Sequence, residues 1–238
     1  MAVGNEGVGR GTHELIRATA LSRRFKYSEP YSRLEVTFPF AADDSLFQDY
    51  GFAQEHVAPG TRARFDFGSE FIPFEMPDLG VRIYLDLGLG GTYQAEGRDY
   101  TELFDALASG SADPSGRTCD PNGAGGSTAA AARTFDGITT VEQFMTVRAH
   151  AGFGVYVSKY AKLGADLMVS HDTEHFVSKA DIGRDKDGSG LVEAKGDPKY
   201  NAAEHNPTYS PAIDAVGRRL RIEEATNFQA AFNLSVLF

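Results

Sequence analysis

Charged side chains recur at every second position in several segments of this chain, and they are the first residues that could do chemistry. Side chains alternate between the two faces of a strand, so charges at this spacing share one face. The set mixes acids, bases and one histidine: Arg33, Glu35, Arg64, Asp66, Glu70, Arg82, Asp86, Arg148, His150, Lys162 and Asp166. An unpaired charge that is enclosed in the narrow interior of a folded protein is unfavourable in free energy. The spacing therefore predicts a network of paired charges, whereas the same residues in a wider interior would line a polar channel.

An acidic, glycine-rich segment, DKDGSGLVEAKG at residues 185–196, has the spacing of the oxygen ligands of calcium. It resembles the first half of an EF-hand or dockerin-type loop, with Gly190 at the sharp turn. The ligands would be Asp185, Asp187, Ser189, the Leu191 carbonyl and Glu193. Gly196 stands where the bidentate glutamate of such a loop would be. We expect an acidic surface loop that requires no cofactor; the alternative is a weak calcium site formed by these ligands.

Histidines beside acids and hydroxyls are the residues that bear on catalysis. His150, Asp166 and Ser170 share one face of neighbouring predicted strands, and a second group clusters after the same strand: His171, Asp172, Glu174 and His175. The nucleophile motif GxSxG is absent from the sequence. A general base must also reach a substrate to act, which a histidine deep in a narrow interior would not do. We therefore expect no catalytic residues.

Segments with a period of two residues must position these groups. They are residues 12–25, 33–40, 62–71, 81–93, 145–157, 161–169 and a last segment from about Leu220 to Phe238. In the first, Ile16, Ala18 and Ala20 share a face. Most are close to the roughly 9 to 11 residues with which a tilted strand crosses a bilayer. Short connections alternate with three long ones at residues 41–60, 96–141 and 178–216.

The last strand has the strongest pattern, because one face is wholly apolar and ends on an aromatic carboxy-terminal residue. This pattern resembles the final strand of bacterial outer-membrane β-barrels. The resemblance implies that the barrel-assembly machinery reads this strand through Phe228, Phe232, Leu234, Val236 and Phe238. An ordinary buried terminal strand of a β-sandwich is the alternative.

We therefore predict an all-β fold, an antiparallel transmembrane β-barrel of about eight strands that forms one domain over residues 1–238. Its short turns would be periplasmic and its long loops extracellular. Seven strands can be identified, whereas bacterial single-chain barrels have even numbers. Residues 2–11 or part of 44–58 would supply the eighth, and ten strands remain the alternative.

Composition narrows the classes of function. The net charge of −10 argues against nucleic acid as a partner. No run of 18 or more apolar residues exists, so the sequence predicts no transmembrane helix. The residues after Met1 lack the features of a secretory signal, so we expect that the signal peptide is absent from this chain. The single cysteine, Cys119, has no partner for an internal disulfide.

The resemblance implies a protein of the outer membrane of a Gram-negative bacterium, in contact with outer-membrane lipid and lipopolysaccharide. We expect a structural or surface-recognition role, with the lumen filled by the charged side chains. One alternative is a passive, porin-like channel for small solutes. Another is a soluble β-sandwich or lipid-binding barrel, in which the apolar faces would point inward. Some small barrels are lipid-modifying enzymes or proteases, but the histidines here do not favour that activity.

Overall fold

The structure is a computed structural model that describes residues 11–42, 55–100, 138–158, 160–193, 196–206, 209 and 211–236. The described residues form eleven strands and one turn of 3₁₀ helix, Pro77–Leu79, and include no α-helix. The strands are β1 (Thr12–Ser22), β2 (Ser28–Ala41), β3 (Arg62–Met76), β4 (Val81–Gln94), β5 (Gly97–Tyr100), β6 (Ile138–Val141), β7 (Phe144–Ser158), β8 (Ala161–Asp172), β9 (His175–Ser178), β10 (Leu220–Ile222) and β11 (Ala225–Val236).

Seven of these strands form one antiparallel sheet in the order β1-β2-β3-β4-β7-β8-β11, which we call the main sheet. Each neighbour in the sheet is also the next long strand along the chain. The alternating patterns predicted these seven strands, and most are longer than predicted. Since antiparallel neighbours alternate in direction, the first and last strands of the sheet run in the same direction.

The long connections contain a second sheet of four short strands, in the order β10-β9-β6-β5. Its strands lie between β4 and β7 and between β8 and β11, so two of the three long connections build it. The predicted extension of the last strand back to Leu220 is confirmed except for an interruption at residues 223–224. Leu220 pairs with Val177 in β9, and β11 begins at Ala225, which pairs with Asp172 in β8. The alternating pattern continues across the interruption because both strands keep the same register against their neighbours.

The two faces of the main sheet differ in chemistry. Cross-strand pairs on one face are apolar, as in the row that joins Phe71, Leu85, Phe153, Ala165 and Phe232. We call this the apolar face. The opposite face, which we call the polar face, carries the charged set predicted above. The central polar-face groups are well covered, with the side chains of Asp66 and Arg148 19% and 20% exposed, whereas large residues of the apolar face such as Phe67 and Phe153 are 50% and 49% exposed.

In the first strand Ile16, Ala18 and Ala20 share one face as predicted, and that face is the polar one. Ala18 pairs with Glu35 and Ala20 pairs with Arg33, so these alanines and Ile16 lie on the polar face. Leu15 and Leu21, which pair with Phe38 and Ser32, lie on the apolar face instead. Both faces of this strand carry apolar residues, and the sequence pattern alone therefore did not fix which face meets the polar side of β2.

An irregularity in β3 replaces part of a predicted connection. The alternating segment predicted at 62–71 leaves a short connection before 81, but β3 continues to Met76 and the turn is completed by Gly80 at a φ of 66°. Two residues, Ile72 and Pro73, lie outside the register between Phe71 and Phe74. Proline has no N–H to donate, and a bulge tolerates it because the ladder hydrogen bonds are already interrupted there. Ile72 is 2% exposed, and its N–H donates to the Tyr27 carbonyl.

Neither sheet closes into a barrel within the described part of the chain, and β1 and β11 are the outer strands of the main sheet. Residues 2–10 and 44–54, proposed for an eighth strand, lie outside the described residues, and 55–58 contain no strand. No described helix is long and apolar enough to cross a membrane.

Candidate functional site

A row of two aromatic rings and two glycines lies at the centre of the polar face. Tyr31 pairs with Gly68, Gly68 with Gly88, and Gly88 with His150, so the row crosses β2, β3, β4 and β7. A Cβ atom at Gly68 would lie 2.6 Å from the Tyr31 hydroxyl oxygen, and one at Gly88 would collide with the His150 ring. The two glycines therefore leave the space in which the two rings meet.

The rings meet in a closed triangle of hydrogen bonds with Asp86. The Tyr31 hydroxyl donates to Asp86 Oδ1 at 2.9 Å and lies 3.0 Å from His150 Nε2, which is 3.3 Å from Asp86 Oδ2. The hydroxyl has a single hydrogen, so the oxygen of Tyr31 accepts from His150. This arrangement requires that Nε2 of His150 carries a proton. Tyr31, His150 and Asp86 already hydrogen-bond to one another within the triangle, which favours a structural role for it.

A second cluster joins Asp66 to two arginines. Arg148 Nη2 lies 3.0 Å from Asp66 Oδ1, and Arg64 Nε lies 2.7 Å from Asp66 Oδ2. Arg148 reaches across β4 at Gly90, where a Cβ atom would collide with Asp66. A glycine again leaves the space for a contact between strands that are not neighbours.

Charge pairs continue toward the short connections. Arg82 pairs with Glu70, and Arg24 pairs with Glu75 at 2.8 Å. Arg33 pairs with Glu35 along its own strand. These contacts distribute the predicted charges among several small groups.

Lysine and aromatic rings occupy the region between these pairs and β8. The Lys162 ammonium lies 5.4 Å from the ring centre of Tyr84 and 5.1 Å from that of Tyr156, which are cation–π distances. Gly154 leaves space for the Tyr84 ring. Asp166 accepts a hydrogen bond from the side-chain amide of Asn233 at 2.8 Å.

The residues considered for catalysis are dispersed. Ser170 pairs with Arg148, while His150 pairs with Met168, so the two lie in different rows. His171 lies on the apolar face beside Thr226, and Asp172 accepts from Thr146 at 2.6 Å. His175 belongs to β9 and stacks on Phe144 with ring centres 4.3 Å apart. The described residues bring no nucleophile, base and acid together.

The predicted calcium ligands are only partly brought together. Asp185, Asp187 and Glu204 form a cluster in which one carboxylate oxygen from each lies within 4.8 Å of the others. The Ser189 hydroxyl donates to the Leu191 carbonyl, and the Glu193 carbonyl accepts from His205.

The backbone N–H groups of Gly190 and Gly188 donate to Asp185 and hold the pKa of its carboxyl below the usual value. Sequence spacing missed Glu204, because it is remote from the loop along the chain.

Most of the predicted insertion signal lies on one side of β11. Phe228, Phe232, Leu234 and Val236 all lie on the apolar face, and Phe228 is 80% exposed. Phe238 and Cys119 lie outside the described residues. Beside these side chains, a shallow apolar groove is lined by Phe153, Leu163, Ala165, Phe232 and Leu234.

Comparison of the chain with protein-family models, curated proteins and solved structures found no match.

Proposed function

We propose that this protein is a membrane-spanning β-barrel of the bacterial outer membrane, with a structural or surface-recognition role and a lumen filled by charged side chains. The observation that carries the proposal is the distribution of exposure on the main sheet. Large apolar side chains of the apolar face are exposed, while charged and aromatic side chains at the centre of the polar face contact one another. A water-soluble domain has the reverse distribution.

The extent of the apolar face argues for lipid as its environment. It continues across the six strands from β2 to β11 and includes Phe38, Phe67, Leu85, Phe153, Leu167 and Phe232, each of which is at least 38% exposed. Soluble monomers rarely expose continuous apolar patches larger than a few hundred Å². Contact with lipid chains would remove this surface from water, which is favourable by roughly 25 cal/mol for each Å² of apolar surface. A soluble β-sandwich or lipid-binding barrel would instead bury these residues in its interior.

Strand length and connection length support the same orientation in a bilayer. The seven strands of the main sheet have 11 to 15 residues, enough for a tilted crossing of a hydrocarbon core. Short connections follow β1, β3 and β7, and long ones follow β2, β4 and β8. Since the second sheet lies in the long connections, it would be extracellular under this proposal, as the long loops of such barrels are.

The contacts of the polar face favour a filled lumen over an open channel. Tyr31 in β2 contacts His150 in β7, and Arg148 in β7 contacts Asp66 in β3. These contacts pass over intervening strands, as expected for a sheet that curls with its polar face inside. In a narrow lumen with little water each charge needs such a partner, because an unpaired charge there would be strongly destabilising.

Two measurements on the purified chain test this proposal. In gel electrophoresis from detergent, we expect the unheated protein to migrate faster than the heated one, since a folded barrel resists the denaturing detergent. In planar bilayers we expect no steady current. A monodisperse monomer without detergent would overturn the membrane assignment. A steady open current would overturn the filled lumen and favour a passive channel for small solutes.

A further inference from the structure

Three carboxylates from two distant segments meet in the last long connection. Asp185 and Asp187 belong to one loop, and Glu204 belongs to a segment that pairs with the residues before that loop. The Arg184 N–H donates to the Glu204 carbonyl at 2.9 Å, and the Asn206 N–H donates to the Ile182 carbonyl at 3.0 Å. These two hydrogen bonds hold the backbone at Glu204 beside the loop. The convergence is therefore built by the backbone and does not depend on flexible side chains alone.

The burial of the Glu204 side chain is the second observation at this cluster. Glu204 is fully buried. Its Oε1 accepts from the Lys186 N–H at 3.3 Å and from the Asn201 side-chain amide at 3.0 Å. Its Oε2 is buried and has no hydrogen-bond partner among the described residues. A buried carboxylate oxygen without a partner, close to two further carboxylates, is unfavourable unless a cation or a proton compensates it.

The loop is shaped to hold the two aspartates in place. Gly188 and Gly190 have φ angles of 78° and 84°, in the left-handed region that favours glycine. Their N–H groups each donate to Asp185 at 2.7 Å, and the Ser189 N–H donates to Asp187 at 2.9 Å. Each carboxylate oxygen has a second lone pair that stays available for a ligand.

We propose that Asp185, Asp187 and Glu204 bind a calcium ion. Two oxygens on opposite sides of a calcium ion, each about 2.4 Å from it, are about 4.8 Å apart. The separation of these three carboxylates, all within 4.8 Å of one another, fits ligands of one such ion. An all-oxygen set on an irregular loop suits calcium, because magnesium requires near-ideal octahedral geometry and zinc prefers nitrogen and sulfur ligands.

This ligand set differs from the one that the sequence pattern indicates. Glu204 takes the place of the glutamate that is missing at Gly196. The Ser189 hydroxyl and the carbonyls of Leu191 and Glu193 are engaged in contacts of their own, and the Glu193 carboxylate is not part of the cluster. With three carboxylates and water completing the shell, the affinity belongs in the range of extracellular modules, on the order of 10⁻⁴ to 10⁻³ M. The ion would join the loop at 185–190 to the segment around Glu204.

Calcium titration of the full-length chain, folded in detergent free of lipopolysaccharide, tests the site. Binding is measured by calorimetry with calcium chloride, with magnesium chloride as a comparison. Trypsin cleavage after Arg184 and Lys186 reports on the loop in calcium and in chelator. We expect millimolar or tighter calcium binding, weaker magnesium binding and slower cleavage in calcium. Equal cleavage in both conditions together with no heat of binding would overturn the proposal.

Two substitutions and a matched control identify the ligands. Glu204→Gln keeps an oxygen that can accept from Lys186 and Asn201 but removes the charge. Asp187→Asn likewise keeps an acceptor for the Ser189 N–H at an exposed position. Each should weaken calcium binding at least tenfold. Glu224→Gln, an exposed glutamate remote along the chain, should bind as the unaltered protein does. Unchanged binding by Asp187→Asn would overturn the site, whether or not Glu204→Gln folds.

Discussion

At the scale of single residues, glycines on the polar face are the positions on which the contacts between remote strands depend. Gly68 and Gly88 make the meeting of Tyr31 and His150 possible, and Gly90 does the same for Arg148 and Asp66. These contacts therefore depend on the contacting residues and equally on the glycines of the strands between them, which carry no side chain.

Gly88 offers a direct test of this dependence. We expect Gly88→Ala to destabilise the folded protein by about 1 to 3 kcal/mol, because the new methyl group overlaps the His150 ring and forces the triangle with Asp86 apart. Gly164→Ala is the matched control on the same face, since its nearest neighbour would be a carbonyl oxygen at 3.6 Å. Urea unfolding in lipid vesicles measures both. Equal stability of the two variants would contradict the role given to Gly88.

At the scale of elements, the facing of each strand decides which substitutions the protein tolerates. We expect Leu85→Arg, on the apolar face of β4, to cost about 2 to 4 kcal/mol if the position lies near the bilayer midplane. Asn233→Arg is the control, because it places the same side chain on the polar face beside Asp166. Unfolding in vesicles compares the two variants. If Leu85→Arg is as stable as the unaltered protein, the apolar face does not meet lipid.

The sequence predicted the long strands well because their alternation is continuous over many residues. It failed where a short segment depends on its neighbours. Strands β5, β6, β9 and β10 have three or four residues each, too few for an alternating pattern to be distinguished. The bulge at Ile72 and Pro73 interrupts the period; the proline indicates an irregularity, but nothing local shows that strand pairing resumes at Phe74. Glu204 joins Asp185 only through the pairing of residues 182–184 with 204–206, and no spacing rule contains that information.

At the scale of the whole molecule, closure is the property on which the proposed function depends. The strands β1 and β11 run in the same direction, so antiparallel closure requires an eighth strand between them. Such closure would leave no unpaired edge, which a lipid environment demands of a sheet. The predicted sources of the eighth strand lie largely outside the described residues.

Hydrogen exchange along β11 distinguishes a closed sheet from an open one. On an edge strand, every second N–H points away from its only neighbour and exchanges rapidly. We expect slow exchange at consecutive residues from Asn227 to Ser235 in lipid nanodiscs, because closure pairs both sides of the strand. The strand β4, which has a neighbour on each side, is the internal control. Rapid exchange at alternate residues of β11 would contradict closure.

The second sheet has a consequence for the order in which the chain folds. Its strands β6 and β9 pair with each other, although they belong to different long connections. Thr140 pairs with Ser178 in the same register in which Thr146 pairs with Asp172, so β6 and β9 continue the β7–β8 hairpin beyond the main sheet. Extending a hairpin that has already formed closes no new long loop. The small sheet should therefore be acquired together with the strands it extends, without a separate kinetic phase.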